Sequence, residues 1–143
     1  MRWIDITVLI DTGVFVAFHN IRDENHEAAL RLISAIACGE MGPALTTDYV
    51  FDESVTVTLI RTRRPELAIS LGKLILGETT PPFIEIARVN VEQFKRAWSL
   101  FGKYSGKGLS FTDCTSLAVM DSRSIDKIAS FDSGFEGIIT RVS

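Results

Sequence analysis

The sequence predicts an α/β fold, a three-layer α/β/α sandwich whose central sheet is mainly parallel and has four or five strands. Short β-branched runs that suit buried strands alternate along the chain with amphipathic helical segments. Strands that alternate with helices pair in parallel through right-handed crossovers, which places helices on both faces of the sheet. With 143 residues, 46% of them hydrophobic, the chain is long enough for one domain, and neither a repeat nor a linker divides residues 1–143.

The first half of the chain predicts two strands and four helices. The run "ITVLI" at 6–10 is continuously apolar apart from Thr7, which is typical of a strand covered on both faces. Asp23 and Asp48 predict helix N-caps. Pro65 suits the first turn of a helix, and Gly39 predicts a helix end. The predicted helices are 14–20, 24–38, 49–63 and 65–77, and the second strand is "PALTT" at 43–47.

The second half predicts two further helices and three strands. The segment "FIEIARV" at 83–89 alternates apolar and polar residues, as half-buried strands do. Asn90 and Ser110 are typical N-cap residues, and "SGKG" at 105–108 separates the helices that they begin. The predicted helices are 91–104 and 111–123, and the remaining strands are 127–131 and 137–142.

Composition argues against several classes of protein. Asp5 and Asp11 break the longest apolar run, so no segment approaches the length of a membrane span. The N-terminus lacks the small-residue cleavage site of a secretory signal peptide. Cys38 and Cys114 are too few for a disulfide framework and have no second ligand pair for zinc, which favours reduced thiols in a cytoplasmic protein.

The net charge of −3 is unevenly distributed. Residues 1–60 carry nine acids against three arginines, whereas the rest of the chain carries a net charge of +3. The overall field therefore does not attract nucleic acid. A basic rim around an acidic centre stays possible, and bound metal ions would reverse the sign of that centre.

Carboxylates directly follow two of the predicted strands. Asp11 follows the strand at 6–10, and Asp132 follows the strand at 127–131. Ligands of open parallel sheets bind beyond the carboxyl ends of the strands, so both acids are expected at one edge. Asp113 lies in the first turn of a helix that begins close to the same edge.

Glu53 lies within the helix that follows the second strand. Its neighbours at helical spacing are Val50, Val57 and Ile60, which predicts a core-facing position where a carboxylate is unexpected. Asp52 is rotated by about 100° from Glu53 and is predicted to be solvated.

Each acid also has a structural interpretation. Ser110 and Asp113 have nearly the spacing of a capping box, Asp11 would cap the following helix, and Asp132 would start a turn. Glu53 would be an edge residue whose carboxylate reaches solvent. Four carboxylates at one edge would nevertheless repel one another, and divalent cations are the obvious compensation. Ligation by oxygen alone favours Mg²⁺ or Mn²⁺ over zinc.

Four segments resemble the acidic motifs of PIN-domain nucleases, in the order in which that family has them. They are "VLIDTGVFVAF", "TTDYVFDESV", "GLSFTDCTSLAVM" and "IASFDSGFE". The resemblance covers nearly the whole chain and is greatest to the small VapC-type ribonuclease toxins of toxin–antitoxin pairs. It implies a PIN-like fold, Mg²⁺- or Mn²⁺-dependent endoribonuclease activity on RNA, a homodimer, and inhibition by a small antitoxin protein. The residues that match the acidic quartet are Asp11, Glu53, Asp113 and Asp132.

Phosphodiester hydrolysis needs an in-line water and stabilisation of the charge on the phosphoryl oxygens, and two metal ions can supply both. We expect Asp11 to be the central ligand, with Asp113 and Asp132 completing the first metal site. Glu53 is expected to bind a second ion or to orient the attacking water.

Other polar and aromatic residues near the acids have competing interpretations. Four hydroxyls would hydrogen-bond the carboxylates or a phosphate, or are ordinary cap and helix hydroxyls: Thr12, Ser110, Thr112 and Ser116. Lys103 and Lys107 flank a glycine-containing loop before Asp113 and are candidate substrate contacts. Three arginines lie at a helix C-terminus, where positive charge is favourable: Arg61, Arg63 and Arg64. They are interpreted as solvated rather than as phosphate ligands. The helically spaced aromatic residues are interpreted as core or dimer interface rather than base-stacking groups: Phe94, Trp98 and Phe101.

Three alternatives come from other classes of protein. A haloacid-dehalogenase-type phosphatase needs a second Asp two residues after the first, where this chain has Gly13. A phospho-receiver domain needs a strand-end Lys where "ASFDSG" supplies Asp132. A non-catalytic PIN-like module that binds RNA or a protein is the more serious rival, although the presence of all four acids argues against it.

Overall fold

The computed structural model describes residues 7–143, which form five strands and six α-helices. Two α-helices separate each of the first three strands from the next, and no α-helix lies between the last two strands. The strands are β1 Val8–Ile10, β2 Ala44–Thr47, β3 Ile84–Ala87, β4 Lys127–Ala129 and β5 Thr140–Val142. The helices are α1 Thr12–His19, α2 His26–Ala37, α3 Asp48–Thr62, α4 Pro65–Leu76, α5 Val91–Tyr104 and α6 Phe111–Arg123. The predicted fold class is confirmed, and the start of the first predicted strand at Ile6 lies outside the described residues.

The sheet has the strand order β3-β2-β1-β4-β5, and each neighbouring pair is parallel. Side chains of β1 alternate between the two faces, as a strand requires. Leu9 packs with residues of α5 and α6, such as Leu100 and Leu117. Val8 and Ile10 pack on the other face with residues of α1, α2 and α4. Two hydrophobic layers therefore fix β1, and the residue after it, in the middle of the sheet.

Several predicted helix ends are confirmed because the residues that decide them are local. Asn90 and Ser110 each accept a hydrogen bond from a backbone N–H in the first turn and form capping boxes. Pro65 begins α4, and Gly77 ends it with φ of +74°. A Cβ on Gly77 would come within 2.6 Å of Pro82 Cβ, so only glycine fits this turn without movement of the proline.

Two predicted N-caps are wrong, and in both cases a neighbour takes the position. The cap of α2 is Asn25, whereas the Asp23 carboxylate accepts a hydrogen bond from Asn25 N–H in the preceding turn. The cap of α3 is Thr47, whose hydroxyl accepts from Val50 N–H at 3.0 Å. Asp48 instead lies in the first turn and accepts from Val89 N–H at 3.0 Å, which ties α3 to the end of β3.

The predicted core face of α3 is also partly wrong. Val50 is buried as predicted, but Ile60 is 67% exposed, and the other buried positions of this helix are Ser54 and Thr58. Glu53 is half-buried rather than enclosed, and Asp52 is exposed as predicted. The face of α3 that carries Glu53 therefore borders a cleft instead of the core.

Within residues 7–143, no helix is long and apolar enough to cross a membrane. The thiols of Cys38 and Cys114 are both free, the first exposed and the second buried.

Candidate active site

All four predicted acids line one cleft of about 280 Å³ at the carboxyl edge of the sheet. Asp11 follows β1, and Asp132 lies three residues after the end of β4. Glu53 comes from α3, and Asp113 comes from the first turn of α6. A larger pocket of about 760 Å³ lies at the opposite edge of the sheet, but its charged residues pair with each other. Of these two pockets, as far as the described residues show, the one at the carboxyl edge is where acids without an ion pair converge.

Asp11 is the most deeply buried acid of the cleft, with 4% of its surface exposed. Its Oδ2 atom accepts a hydrogen bond from Ser130 Oγ at 2.8 Å. Its Oδ1 atom is buried and has no hydrogen-bond partner among the described residues. Although Asp11 occupies the N-cap position of α1, its side chain makes no capping hydrogen bond. A buried carboxylate oxygen without a partner is costly, so this atom is placed to receive a ligand.

Burial raises the pKa of Asp11 to about 7. The negative charge of Asp113 raises this pKa further, whereas the hydrogen bond from Ser130 lowers it, and the charge of Glu53 makes a smaller upward contribution. Burial is also the main reason why the pKa of Asp113 is raised to about 6. Both shifts mean that the protein surroundings of these acids disfavour ionised carboxylates, which a bound cation would favour.

Asp113 serves as a capping residue and a cleft residue at the same time. Its Oδ2 atom accepts from Ser110 N–H at 2.8 Å, and Ser110 Oγ accepts from Asp113 N–H at 3.0 Å. The interpretations of Asp113 as a capping residue and as a metal ligand are therefore compatible. The capping box orients its carboxylate, and Asp113 also lines the cleft.

Glu53 is oriented by Thr12, which also lines the cleft. The Thr12 hydroxyl donates to Glu53 Oε1 at 2.6 Å, linking the start of α1 to α3. Two of the four predicted hydroxyl residues, Thr12 and Ser110, therefore line the cleft.

Asp132 is exposed and accepts a hydrogen bond from Gly134 N–H at 2.8 Å. A Cβ at Gly134 would lie 2.9 Å from Leu109 Cδ2 and 3.0 Å from Asp132 Oδ1, so this turn depends on glycine. Asp132 N–H in turn donates to Ser130 Oγ at 3.0 Å.

Ser130 is a site residue that the sequence interpretation missed. It is fully buried and contacts both Asp11 and Asp132, so one hydroxyl joins the ends of β1 and β4. The signal for it is its position in the sequence, directly after the last residue of a buried strand and two residues before Asp132.

The remaining weak candidates do not line the cleft. The Thr112 carbonyl accepts from Thr115 Oγ1, and Ser116 is buried with no hydrogen-bond partner for its hydroxyl among the described residues. Lys103 Nζ lies 5.1 Å from the centre of the Tyr104 ring, and Lys107 Nζ donates to the Glu136 carbonyl at 2.7 Å. Arg61, which the sequence interpretation treated as solvated, does line the cleft.

The chemistry of the cleft suits a hard divalent cation, although its carboxylates are held apart. No group of three His, Cys, Asp or Glu side chains in residues 7–143 is arranged as a ready metal site. Glu53, Asp113 and Asp132 each accept a hydrogen bond from a neighbouring residue through one carboxylate oxygen. The buried free oxygen of Asp11 and the all-oxygen donor set fit Mg²⁺ or Mn²⁺, with rotation of the other carboxylates needed to complete the site.

Comparisons with known proteins agree with this arrangement. The sequence profile of the PIN domain matches residues 8–138. The VapC ribonuclease of Archaeoglobus fulgidus is 27% identical over 131 residues, which are 91% of this chain and 80% of that protein. The 23S rRNA-specific endonuclease VapC20 of Mycobacterium tuberculosis is 27% identical over 128 residues, which are 90% of this chain and 91% of the other.

Solved structures share the fold. The crystal structure of Mycobacterium tuberculosis VapC20, a sarcin-ricin loop cleaving toxin, has a TM-score of 0.81 at 23% identity and covers 94% of this chain and 98% of its own. VapBC2 from Rickettsia felis, bound to a DNA fragment from its promoter, has a TM-score of 0.65 at 14% identity and covers 95% of this chain and 97% of its own. Since the profile match spans most of the chain and includes the segments that supply all four cleft acids, the protein belongs to the PIN domain family.

Proposed function

We propose that this protein is a metal-dependent endoribonuclease that hydrolyses RNA phosphodiester bonds. The observation that carries the proposal is the convergence of Asp11, Glu53, Asp113 and Asp132 on one cleft, where Asp11 keeps a buried oxygen without a partner. A cluster of ionised carboxylates is costly by itself and is compensated by divalent cations. The similarity to proteins named as ribonucleases supports RNA as the substrate.

Asp11, Asp113 and Asp132 are the residues that would hold Mg²⁺ or Mn²⁺. A divalent cation at this position supplies Lewis acidity, which polarises a phosphate and lowers the pKa of water. Ser130 Oγ donates to Asp11 Oδ2 and accepts from the backbone N–H of Asp132, so it links the segments that carry these two acids. Thr12 holds Glu53, whose other carboxylate oxygen is then available to orient the attacking water or to bind a second ion.

We further propose that the protein is the toxin of a prokaryotic toxin–antitoxin pair and acts in the cytoplasm. The support is its similarity in sequence and fold to VapC20, which is described as a toxin, together with its free thiols. A small antitoxin protein is the expected inhibitor, because an unregulated ribonuclease would damage the RNA of its own cell.

The direct test is cleavage of a generic single-stranded RNA by the purified protein. We expect cleavage with Mn²⁺ or Mg²⁺ and none after EDTA, with restoration when the ion is added back in excess. Binding of RNA without cleavage under any of these ions would support the non-catalytic module instead. Chromatography of the protein after EDTA treatment, compared with the untreated sample, checks that metal removal has not simply aggregated it.

We propose a homodimer that forms through an aromatic face on α5. Phe94 and Trp98 were interpreted as core or interface, and the core alternative is wrong, because they are 47% and 66% exposed. They contact Phe111 of α6 with ring centroids 5.2 and 6.3 Å apart, and Trp98 also stacks on Phe101. Exposed aromatic groups clustered in this way are typical of protein interfaces.

Substituting Trp98 with Glu should convert the dimer to a monomer, because the charge would be buried at the aromatic contact. Light scattering after size-exclusion chromatography measures the mass of each form, and Lys95→Glu on the same helix, also exposed, is the matched control. A wild-type protein that is monomeric at high concentration, or a Trp98→Glu variant that still dimerises, would contradict this interface.

A further inference from the structure

Arg61 is the one basic residue among the described residues that line the acidic cleft. It lies in the last turn of α3 and shares the cleft wall with Glu53 and Val57 of the same helix. Its side chain is 60% exposed, so the guanidinium is accessible to a ligand that enters from solvent. A positively charged side chain at this position is unexpected if the cleft binds only metal ions.

The guanidinium of Arg61 is weakly engaged by the protein. Its nearest carboxylate is Asp23 in the turn before α2, and Nη1 lies 4.0 Å from Asp23 Oδ2. Three other arginines donate hydrogen bonds to a neighbouring glutamate at 2.6 to 2.8 Å: Arg64, Arg123 and Arg141. Within residues 7–143, Arg61 makes no such bond, so its five N–H donors are available to a ligand.

Arg61 does not neutralise the acid cluster either. No ion pair joins it to any of the four cleft acids among the described residues, although all of them line the same cleft. It follows Glu53 by eight residues, about 12 Å along the helix axis, and helical side chains tilt back toward the N-terminus. The guanidinium therefore lies beside the acids rather than among them.

We propose that Arg61 binds a phosphate of the RNA backbone next to the phosphate that is cleaved. A guanidinium binds phosphate through two parallel hydrogen bonds, which a solvent-exposed and weakly paired arginine can form at little cost. Asp23, itself held by Asn25 N–H, keeps the guanidinium near the cleft until the phosphate replaces it as partner. This inference rests on the proposed ribonuclease function and adds how the substrate strand is held there.

The test compares Arg61→Gln with Arg64→Gln. Arg64 is also an arginine close to the end of α3, but it pairs with Glu66 and does not line the cleft. We expect Arg61→Gln to raise KM about 10-fold with a smaller change in kcat, because a flanking phosphate is bound equally in the ground state and the transition state. Arg64→Gln should leave both constants unchanged.

Salt dependence gives a second readout that does not depend on cleavage. In the Asp11→Asn background, which is expected to be inactive, log K for single-stranded RNA falls as log salt rises. Replacing Arg61 should make this negative slope shallower by about 0.7. Substitution at Arg64 should leave the slope unchanged. Since Arg61 is exposed and forms only a long ion pair, thermal unfolding of the variant should match the wild type.

The possible results separate this inference from the function on which it rests. If the wild type cleaves RNA and Arg61→Gln has unchanged KM and salt slope, the inference is wrong and the ribonuclease function stands. A fall in kcat alone would place Arg61 in the reaction itself and would also overturn the flanking-phosphate role. If the wild type neither cleaves nor binds RNA, the proposed function fails first.

Discussion

Replacing Asp11 with Asn should lower RNA cleavage by more than about 100-fold while the fold is retained. The substitution removes the charge of the most buried cleft acid. It also makes the side-chain oxygen that lacks a partner in the protein a weaker ligand for a divalent cation. Substitutions that only disturb the orientation of a metal ligand already cost about 10–100-fold, so loss of the central ligand should cost at least as much. Initial rates on a fluorescent RNA, with circular dichroism for the fold, provide the measurement.

The same substitution should stabilise the metal-free protein by about 1–3 kcal/mol at pH 8. At that pH the wild type must keep Asp11 ionised in a buried position near Asp113, whereas Asn is neutral and can still accept from Ser130. Asp52→Asn is the matched control, since Asp52 is exposed beside Glu53 and should change neither activity nor stability. An Asp11→Asn variant that cleaves at the wild-type rate would exclude Asp11 as the central ligand.

Stability of the metal-free protein should fall by about 2–4 kcal/mol as the pH rises from 5 to 8. The pKa values of Asp11 and Asp113 are raised from 3.8 to about 7 and about 6 in the folded protein. Between pH 4 and 7 the folded state therefore binds more protons than the unfolded state, so each rise in pH lowers the free energy of unfolding. Above about pH 8 both acids are ionised in both states, and their contribution becomes constant.

A divalent cation should reverse this loss. Metal binding requires deprotonated carboxylates, so Mg²⁺ or Mn²⁺ should raise the melting temperature more at pH 8 than at pH 5. Urea unfolding in EDTA at several pH values, followed by melting curves with added metal, measures both effects. A pH profile as steep in Asp11→Asn as in the wild type would show that Asp11 does not cause the loss of stability. Equal metal stabilisation at both pH values would show that the cation does not bind the ionised form of these acids.

Helix caps show why some local predictions succeeded and others did not. Asn90 and Ser110 were predicted correctly because each is a strong capping residue directly before an amphipathic helix. Thr47 and Asp48 are adjacent candidates for the N-cap of α3, and Thr47 is the cap. The Asp48 carboxylate instead accepts a hydrogen bond from the N–H of Val89, which is 41 positions away. Propensity ranks candidate caps, but it does not include a distant partner.

The sequence also predicted the burial of some individual side chains incorrectly. Ile60 and Trp98 have the spacing and hydrophobicity of core residues, yet both face solvent and belong to neither hydrophobic layer. Periodicity identifies an apolar face and does not say whether another element covers it.

The sequence alone determined the order of strands and helices, the parallel pairing, and the arrival of four acids at one edge of the sheet. The fold and the placement of Asp11, Asp113 and Asp132 follow from short-range patterns and from the rule that parallel strands end together. Glu53 was added by its match to the acidic motifs of the PIN domain. Only the tertiary structure decided which atoms meet at that edge. The hydrogen bond from Ser130 to Asp11 spans 119 residues, and Arg61 of α3 lines a cleft that α1, α6 and the segment after β4 also form. Such contacts depend on how the layers pack, to within an ångström, and no local pattern encodes that distance.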